Sequence, residues 1–527
     1  MSEPEELFAE EGFSDAAPAA SLVEAGFALE VADAPLLHAG LNLADIAHVL
    51  VLLEQRLIPG DSAQRLLRLL LEVHAMPAAD FPYDPAYGDP YNCRERFFAG
   101  RLGLDAGWLH AGRPRREAGR LALRIELRRQ ILGLMPEVAG FVDEVAHIAD
   151  AQAETLMPDQ TYLQQAQPST FGHYVLTFAY PALREAGRLW SEQEWVNQSP
   201  GGAGCVNGSR LHISRTRTAA LLGFDGVIEH TRDAMWQTDG LVALLSTAAG
   251  LVSNLSKLAE DLEIWDSREF DFVDLAGPYT RASVLMPQKR NPYSLAIVRG
   301  AAGVLLGRLS GFLAVVKTPS ARSDNLIFAY GEVPRALDLT RKVTRLMSGV
   351  VSTLHVNAGR MNEALRSGFS QATDLAEHVM QTCDLDYRSA YLLVGEAVRR
   401  ASREGLRGVD VTGEMLDDAA EKTAGRRLGL AGANLTEVLD PAAIVSTRTL
   451  AGGAAPGVVR QMAAECAAAA SGIRGQAAEA ARKIGRAEAA LLTAARAAAG
   501  DELIQRQGRV PPGRPAAPAA GAPEAGR

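Results

Sequence analysis

The segment RASVLMPQKRNP (281–292) carries Ser283, Lys289 and Asn291 together with Pro287 and Pro292, so it is not regular helix throughout. A serine hydroxyl is a poor base unless something holds its alkoxide. A nearby ammonium and loop N–H groups do so by favouring the charged form. Lys289 suits a substrate carboxylate as a point charge, and Asn291 adds a directed hydrogen bond. On spacing alone, a solvated loop with an ordinary serine and lysine is the commoner explanation. A second segment, HAGRPRREAGR (110–120), supplies Arg113, Arg115, Arg116 and Arg120. Arginine forks match carboxylates bidentately, although a basic helix start exposed to water explains them as well. A third, SPGGAGCVNGS (199–209), is glycine-rich. It is either an anion cradle or a plain interhelical loop. It lacks the GxxxxGK[ST] order and no strand is predicted before it, which argues against nucleotide phosphate. The fourth, PDQTYLQQAQPSTFGHY (158–174), crowds Thr161, Tyr162, Gln164, Gln165 and Gln167 ahead of Pro168, in a neighbourhood otherwise read as helical.

The elements that must position these residues read as helix after helix. ADIAHVLVLLEQRLI repeats apolar residues at three- and four-residue spacing, as do LVALLSTAAGLVSNLSKLAEDLEIW and SLAIVRGAAGVLLGRLSGFLAVV. The last two are apolar on more than one side, as in helices buried inside a bundle or between subunits. Alternating β-branched runs are scarce, so the expected class is all-α. The chain has 527 residues, a formal net charge of -10 and nearly half hydrophobic residues. That allows a large core and argues against a nucleic-acid partner. Cys93, Cys205, Cys383 and Cys466 stand far apart with no CxxC pair, so neither zinc nor a disulfide framework is expected. His110, His173 and His378 show no paired metal-ligand spacing and read as structural. No metal and no other cofactor is expected. The acidic start, MSEPEELFAEEGF, lacks a signal-peptide layout, and no uninterrupted apolar run is read as long enough to span a bilayer. A soluble cytoplasmic protein, off the membrane, is the expectation.

Taken together, the four segments resemble the aspartase/fumarase superfamily, specifically its argininosuccinate lyase branch. The superfamily signature is GSxxMxxKxN. This chain reads ASVLMPQKRN at 282–291, with Ala282 in place of the glycine. GWLHAGRPR (107–115) resembles the family's G-K-L-H-T-G-R-S-R, and TYLQQAQP its T-H-L-Q-R-A-Q-P. SPGGAG (199–204) resembles P-L-G-S-G-A. ATDLA (372–376) and GGAAPGVV (452–459) match two C-terminal patterns. The likeness covers about residues 40 to 480, in order.

The resemblance implies a three-part, all-α lyase fold whose central long-helix bundle assembles into a tetramer core. The expected divisions are an acidic, poorly ordered extension (1–35) and an N-terminal helical domain (36–120). A central bundle (121–365) carries the catalytic loop 275–292. A C-terminal helical domain (366–500) and a disordered Pro/Ala/Gly tail (501–527) follow. The implied reaction is β-elimination from an N-substituted aspartate, releasing fumarate and an amine, in a homotetramer whose active sites draw loops from three subunits. The resemblance assigns the base to Ser283. It gives the succinyl carboxylates to Lys289 and Asn291, helped by Thr161 and Arg115, with Arg113 and Gln164 also in the substrate site.

The departures from the family pattern bear on substrate. The family's second catalytic group is a histidine held by a glutamate. Those positions are Tyr162 and Ala296 here, so both members of a pair are replaced together. Tyr162 can donate a hydrogen bond, but an ordinary tyrosine pKa near 10 makes it a weak proton shuttle. The S-R-N-D segment reads Pro114, Arg115, Arg116, Glu117, so a substrate-contacting asparagine has become Arg116. The Q-E-D-K segment, which accommodates the arginine end, aligns with Ile327, Phe328, Ala329 and Tyr330. Arginine is therefore a doubtful leaving group, and Arg116 points to an anionic arm. An N-(carboxyalkyl)aspartate, of the type handled by ethylenediamine-disuccinate lyase relatives, meets both conditions. A secondary alkylamine is already protonated near neutral pH and needs less general-acid help. The alternatives are a true argininosuccinate lyase and a catalytically silent structural homologue.

Overall fold

The computed structural model describes residues 18–317 and 327–500. These fall into two compact units, both built from discontinuous chain. Unit one takes Met1–Ala122, Ser199–Met235 and Ile484–Arg527; unit two takes Leu123–Gln198 and Trp236–Lys483. In chain order the main elements are α1 (Ala28–Glu54), α2 (Gly60–Ala75), α3 (Pro90–Leu102) and α4 (Arg115–Ala151). Strands β1 (Leu156–Thr161) and β2 (Gln164–Thr170) precede α5 (Ala179–Val196) and α6 (Asp239–Trp265). Strands β3 (Arg281–Ala282) and β4 (Arg290–Asn291) lead into α7 (Tyr293–Val315) and α8 (Ala329–Ser352). Helices α9 (Ala372–Cys383), α10 (Tyr387–Arg403), α11 (Gly413–Ala424) and the long α12 (Pro456–Ala498) complete the order. The fold is all-α, with short two-stranded pairings as its only sheet among the described residues.

In unit two, α6 packs against α5, α7 and α8, and α7 packs against α8. The apolar repeat of α6 explains this. Leu241, Leu244, Ala248, Leu251, Leu255, Leu258 and Leu262 recur at three- and four-residue steps and are all buried. A separate core within the unit gathers Leu375, Val379, Leu393, Ala397 and Leu416 from α9, α10 and α11. In unit one, α1 meets the start of α4 so closely that a Cβ on Gly40 would lie 2.7 Å from the Ala122 backbone. Glycine is what lets that crossing close.

Three expectations need correction. The extension expected to be poorly ordered to residue 35 is helical from Ala20, through the turns Ala20–Leu22 and Val23–Phe27 into α1. Its Phe27, Ala34 and Leu37 continue the apolar spacing of α1 and let the helix start early. Residues 1–17 and the expected tail 501–527 lie outside the described residues. The polar stretch 158–174 is helical only from Phe171 onward, where Thr170 caps a short helix to Leu176. Before that it forms the antiparallel hairpin β1–β2, in which Pro158 faces Pro168 and Thr161 pairs with Gln164. Prolines lack the N–H a helix interior needs, and here they sit in a short two-stranded ribbon. Finally, three helices among the described residues are long and apolar enough to cross a membrane by length and composition: Ala20–Glu54, Asp239–Trp265 and Tyr293–Val315. The first is 83% buried within the protein over its most apolar window, and the last only 33%. Apolar length alone therefore reports a buried core helix as readily as a span.

Candidate active site

In unit two, strands β3 and β4 clamp the serine loop, with Arg281 opposite Asn291 and Ala282 opposite Arg290. The Asn291 side-chain amide donates to the Arg281 carbonyl at 2.9 Å. The Arg281 guanidinium lies over the Tyr293 ring, 5.1 Å from its centre, and Arg290 pairs with Asp274. The Ser283 N–H donates to the Lys289 carbonyl at 3.3 Å. The Ser283 hydroxyl oxygen in turn accepts the N–H groups of Leu285 at 3.3 Å and Met286 at 3.0 Å. Two backbone donors on one hydroxyl oxygen favour its ionised form, because they hold a negative oxygen more strongly than a neutral one. Among the described residues, the Lys289 ammonium makes no ion pair or hydrogen bond and stands exposed. Val284 and Leu285 at the loop tip are almost wholly exposed.

The β1–β2 hairpin, also in unit two, turns through only Tyr162 and Leu163. Both have positive φ, 56° and 58°. Such a turn ordinarily takes Asn-Gly, and a bulky residue in this region costs about 1–2 kcal/mol. Tyr162 is 98% exposed at the tip. Thr161 and Gln164, as cross-strand partners, share one face. A cavity of about 460 Å³ beside the hairpin is lined by Gln160, Gln164, Gln165, Arg360 and Phe369. Gln165 is tied to the Ala364 carbonyl at 3.0 Å. Among the described residues, no hydrogen bond or ion pair joins the tip residues to the serine loop. Ala296 lies exposed on the first turns of α7. Ile327 is half-buried, Phe328 exposed and Ala329 fully buried.

In unit one, the arginines expected to bind substrate separate into three roles. Arg113 is buried, its side chain 1% exposed. Its guanidinium pairs with Asp45 and donates to the Ala44 carbonyl at 3.0 Å and the Tyr91 hydroxyl at 2.7 Å. Asp45 also takes Arg94 at 2.6 Å. Burial opposes ionisation of Asp45, but Arg113 and Arg94 outweigh it and hold the carboxyl below its usual range. The structure thus turns Arg113 into the core of its unit, away from any solvent-facing ligand. Arg115 is half-exposed and held by Asn92 at 2.9 Å and Asp89 at 3.4 Å. Arg116 makes no ion pair within 4.0 Å among the described residues. Glu30, on the first turn of α1, shares this neighbourhood, and its carboxyl is raised by burial and by Asp89, against the pull of Arg116 and Arg115. Sequence reasoning misses Glu30, because the segment carrying it reads as an unstructured extension.

The glycine-rich loop does cradle an anion, and the anion belongs to the protein. The Glu117 carboxylate accepts the Gly202 and Gly204 N–H groups, each at 2.7 Å. Both glycines have positive φ, and a Cβ on Gly204 would collide with the Gly208 carbonyl. Burial raises the Glu117 pKa, with the two N–H groups and Arg113 opposing it. The cysteines are free thiols. His110 meets Glu95 at 3.1 Å and His173 meets the Gly452 carbonyl at 3.0 Å, so both have protein partners. No cluster of three or more candidate metal ligands exists among the described residues.

Comparison with known proteins shows what the whole chain resembles. A family model described as lyase matches residues 100–307, and one described as argininosuccinate lyase C-terminal matches 369–446. Argininosuccinate lyase from Methanothrix thermoacetophila is 34% identical over 80% of this chain and 85% of the relative. A structure of an EDDS lyase variant with bound fumarate superposes with a TM-score of 0.82 at 26% identity, covering 92% of this chain and 97% of that one. EDDS lyase in complex with formate also gives 0.82 at 26% identity, over 94% and 97%. A bundle of long helices and these likenesses define a carbon–nitrogen lyase. Within that class, the chain belongs to the argininosuccinate lyase branch of the aspartase/fumarase superfamily.

Proposed function

We propose that this protein catalyses the reversible β-elimination of an N-substituted L-aspartate to fumarate and an amine, with Ser283 as the base. The observation that carries the reading is the pair of N–H groups aimed at the Ser283 oxygen. The Ser283 alkoxide takes the Cβ proton. The electrons left on carbon are delocalised into the adjacent carboxylate, whose doubled charge Lys289 stabilises. The electron pair then forms the double bond as the C–N bond breaks, and the nitrogen, already protonated as an ammonium in the bound substrate, takes the bond pair and leaves as the neutral amine. Thr161, Gln164 and Asn291 orient the succinyl part, and Tyr162 adds a hydrogen bond at the departing nitrogen. Arg115 is held in place by Asp89 and Asn92, which leaves Arg116 as the cation for an anionic arm of the amine.

The assembly is a homotetramer in the cytoplasm that exchanges small molecules only. Support comes from α7, which leaves Ile297, Val304, Leu306 and Leu313 exposed. A second reading, argininosuccinate itself as substrate, is favoured by the names of the relatives. It is opposed by the apolar run from Ile327 to Ala329, where a guanidinium arm needs polar partners. The test mixes the protein with a series of N-substituted aspartates, argininosuccinate included, and follows fumarate absorbance. Turnover of N-(carboxyalkyl)aspartates in preference to argininosuccinate supports the proposal. Turnover undiminished in S283A would sink the mechanism, and preference for argininosuccinate would establish the second reading.

A further inference from the structure

A groove of about 530 Å³ runs between α5 and α6 in unit two. Its buried carboxylate is Glu192, whose residue is 8% exposed. One carboxylate oxygen accepts the Thr247 hydroxyl at 2.6 Å. The other, Oε2, is buried and has no hydrogen-bond partner. Buried polar atoms are rarely left so, and each such exception calls for a partner. The groove wall is set by Trp195. Arg124 stacks on its ring at 4.0 Å and donates to its carbonyl at 2.6 Å. Gly240 packs against that ring so closely that any Cβ would collide with it.

The hydroxyls lining the groove have spent their hydrogens elsewhere. Thr247 donates to Glu192, Ser246 to the Val242 carbonyl at 2.8 Å and Ser191 to the Gly187 carbonyl at 3.4 Å. What they turn outward is lone pairs. Asp239, at the mouth, makes no ion pair within 4.0 Å among the described residues. Arg188 is the cation on the rim, and it is tied to Glu185 at 2.6 Å. Arg188 apart, the surface is therefore rich in acceptors, and Glu192 and Asp239 give it negative charge.

We propose that this groove binds a small organic cation rich in N–H donors, a primary diamine or a guanidinium, with Glu192 as its principal anchor. The donor count separates this ligand from a quaternary ammonium, which offers charge without N–H. The absence of a third ligating side chain among the described residues separates it from a metal. The carboxyl of Glu192 is pushed up to about 7, by burial first and by Glu185, with Thr247 and Arg188 opposing. Asp239, across the groove, faces the same space with a second carboxylate. The ionised form binds the cation, so affinity rises as pH rises through about 7.

The experiment titrates the full-length protein calorimetrically with putrescine, methylguanidinium and tetramethylammonium at pH 6 and pH 8, and repeats it on two variants. Glu192→Gln keeps the shape and removes the charge. Ala243→Arg, from an exposed position on α6, fills the groove with the protein's own guanidinium. Putrescine and methylguanidinium are expected to bind more tightly at pH 8, tetramethylammonium not to bind, and both variants to lose about tenfold or more in affinity. Absence of binding to the wild type, equal binding of tetramethylammonium, or binding insensitive to both variants overturns the proposal. A Glu192→Gln variant that changes subunit number while leaving amine binding intact overturns it too, and marks the groove as a contact between copies.

Discussion

Ser283→Ala removes the oxygen that collects the Leu285 and Met286 N–H groups, and with it the proposed proton acceptor. Fumarate release is expected to fall by about 10²–10⁴-fold, with KM little changed, in a steady-state assay. Arg116→Gln is expected to raise KM for substrates with an anionic amine arm by about tenfold or more, and to leave neutral arms unaffected. Glu30→Gln works in the opposite direction, because it removes a carboxylate that competes for the Arg116 field. At Glu192 the folded-state carboxyl lies above its ordinary value. The folded state therefore holds a proton that the unfolded chain releases between about pH 4.5 and 7. Stability from this group is present below that window and is lost as pH rises through about 7. Glu192→Gln is expected to flatten that part of a melting-temperature profile between pH 5 and 8. Residue types alone do not separate Arg113 from Arg116. What separates them is Asp45, 68 residues away, which captures the first and not the second.

Among the elements, the β1–β2 hairpin and the serine hairpin are both short ribbons that hold polar residues beside an exposed tip. Tyr162 and Leu163 occupy a turn that disfavours them. Replacing the pair with Asn-Gly is expected to stabilise the protein by about 1–2 kcal/mol while lowering kcat, read by chemical denaturation and by fumarate release. A gain in both would show that the tip carries no part of the chemistry. The bundle helices are legible in the sequence, since α6 repeats its leucines at helical spacing over its whole length. The hairpin is not, for two physical reasons. Its strands are built from Gln, Pro and Thr rather than alternating apolar residues, and its turn lacks glycine. The four polar segments are legible as chemistry, and their spatial partners are not. The glycine-rich loop shows this, because its anion is Glu117 from another segment.

At the scale of the whole molecule, α7 exposes Val304 and Leu306 along an otherwise apolar helix. Leu306→Glu is expected to convert the proposed homotetramer to smaller species by light scattering, and to abolish fumarate release although no proposed active-site residue is altered. Full activity in a dissociated monomer would refute the shared-site assembly. The two units share a single chain in an interleaved way, and this has a consequence during synthesis. Unit one needs Met1–Ala122, Ser199–Met235 and Ile484–Arg527, so it lacks its last segment until the ribosome has passed residue 484. At translation rates of about 5–20 residues per second, that wait is on the order of 20–90 s after α1 is made. Throughout it, α2 lacks the Ala499 carbonyl that takes its Arg68 guanidinium at 2.7 Å. The nascent chain is thus a natural client for a holding chaperone, and truncation at the C-terminal end should harm α2, 431 residues up the chain.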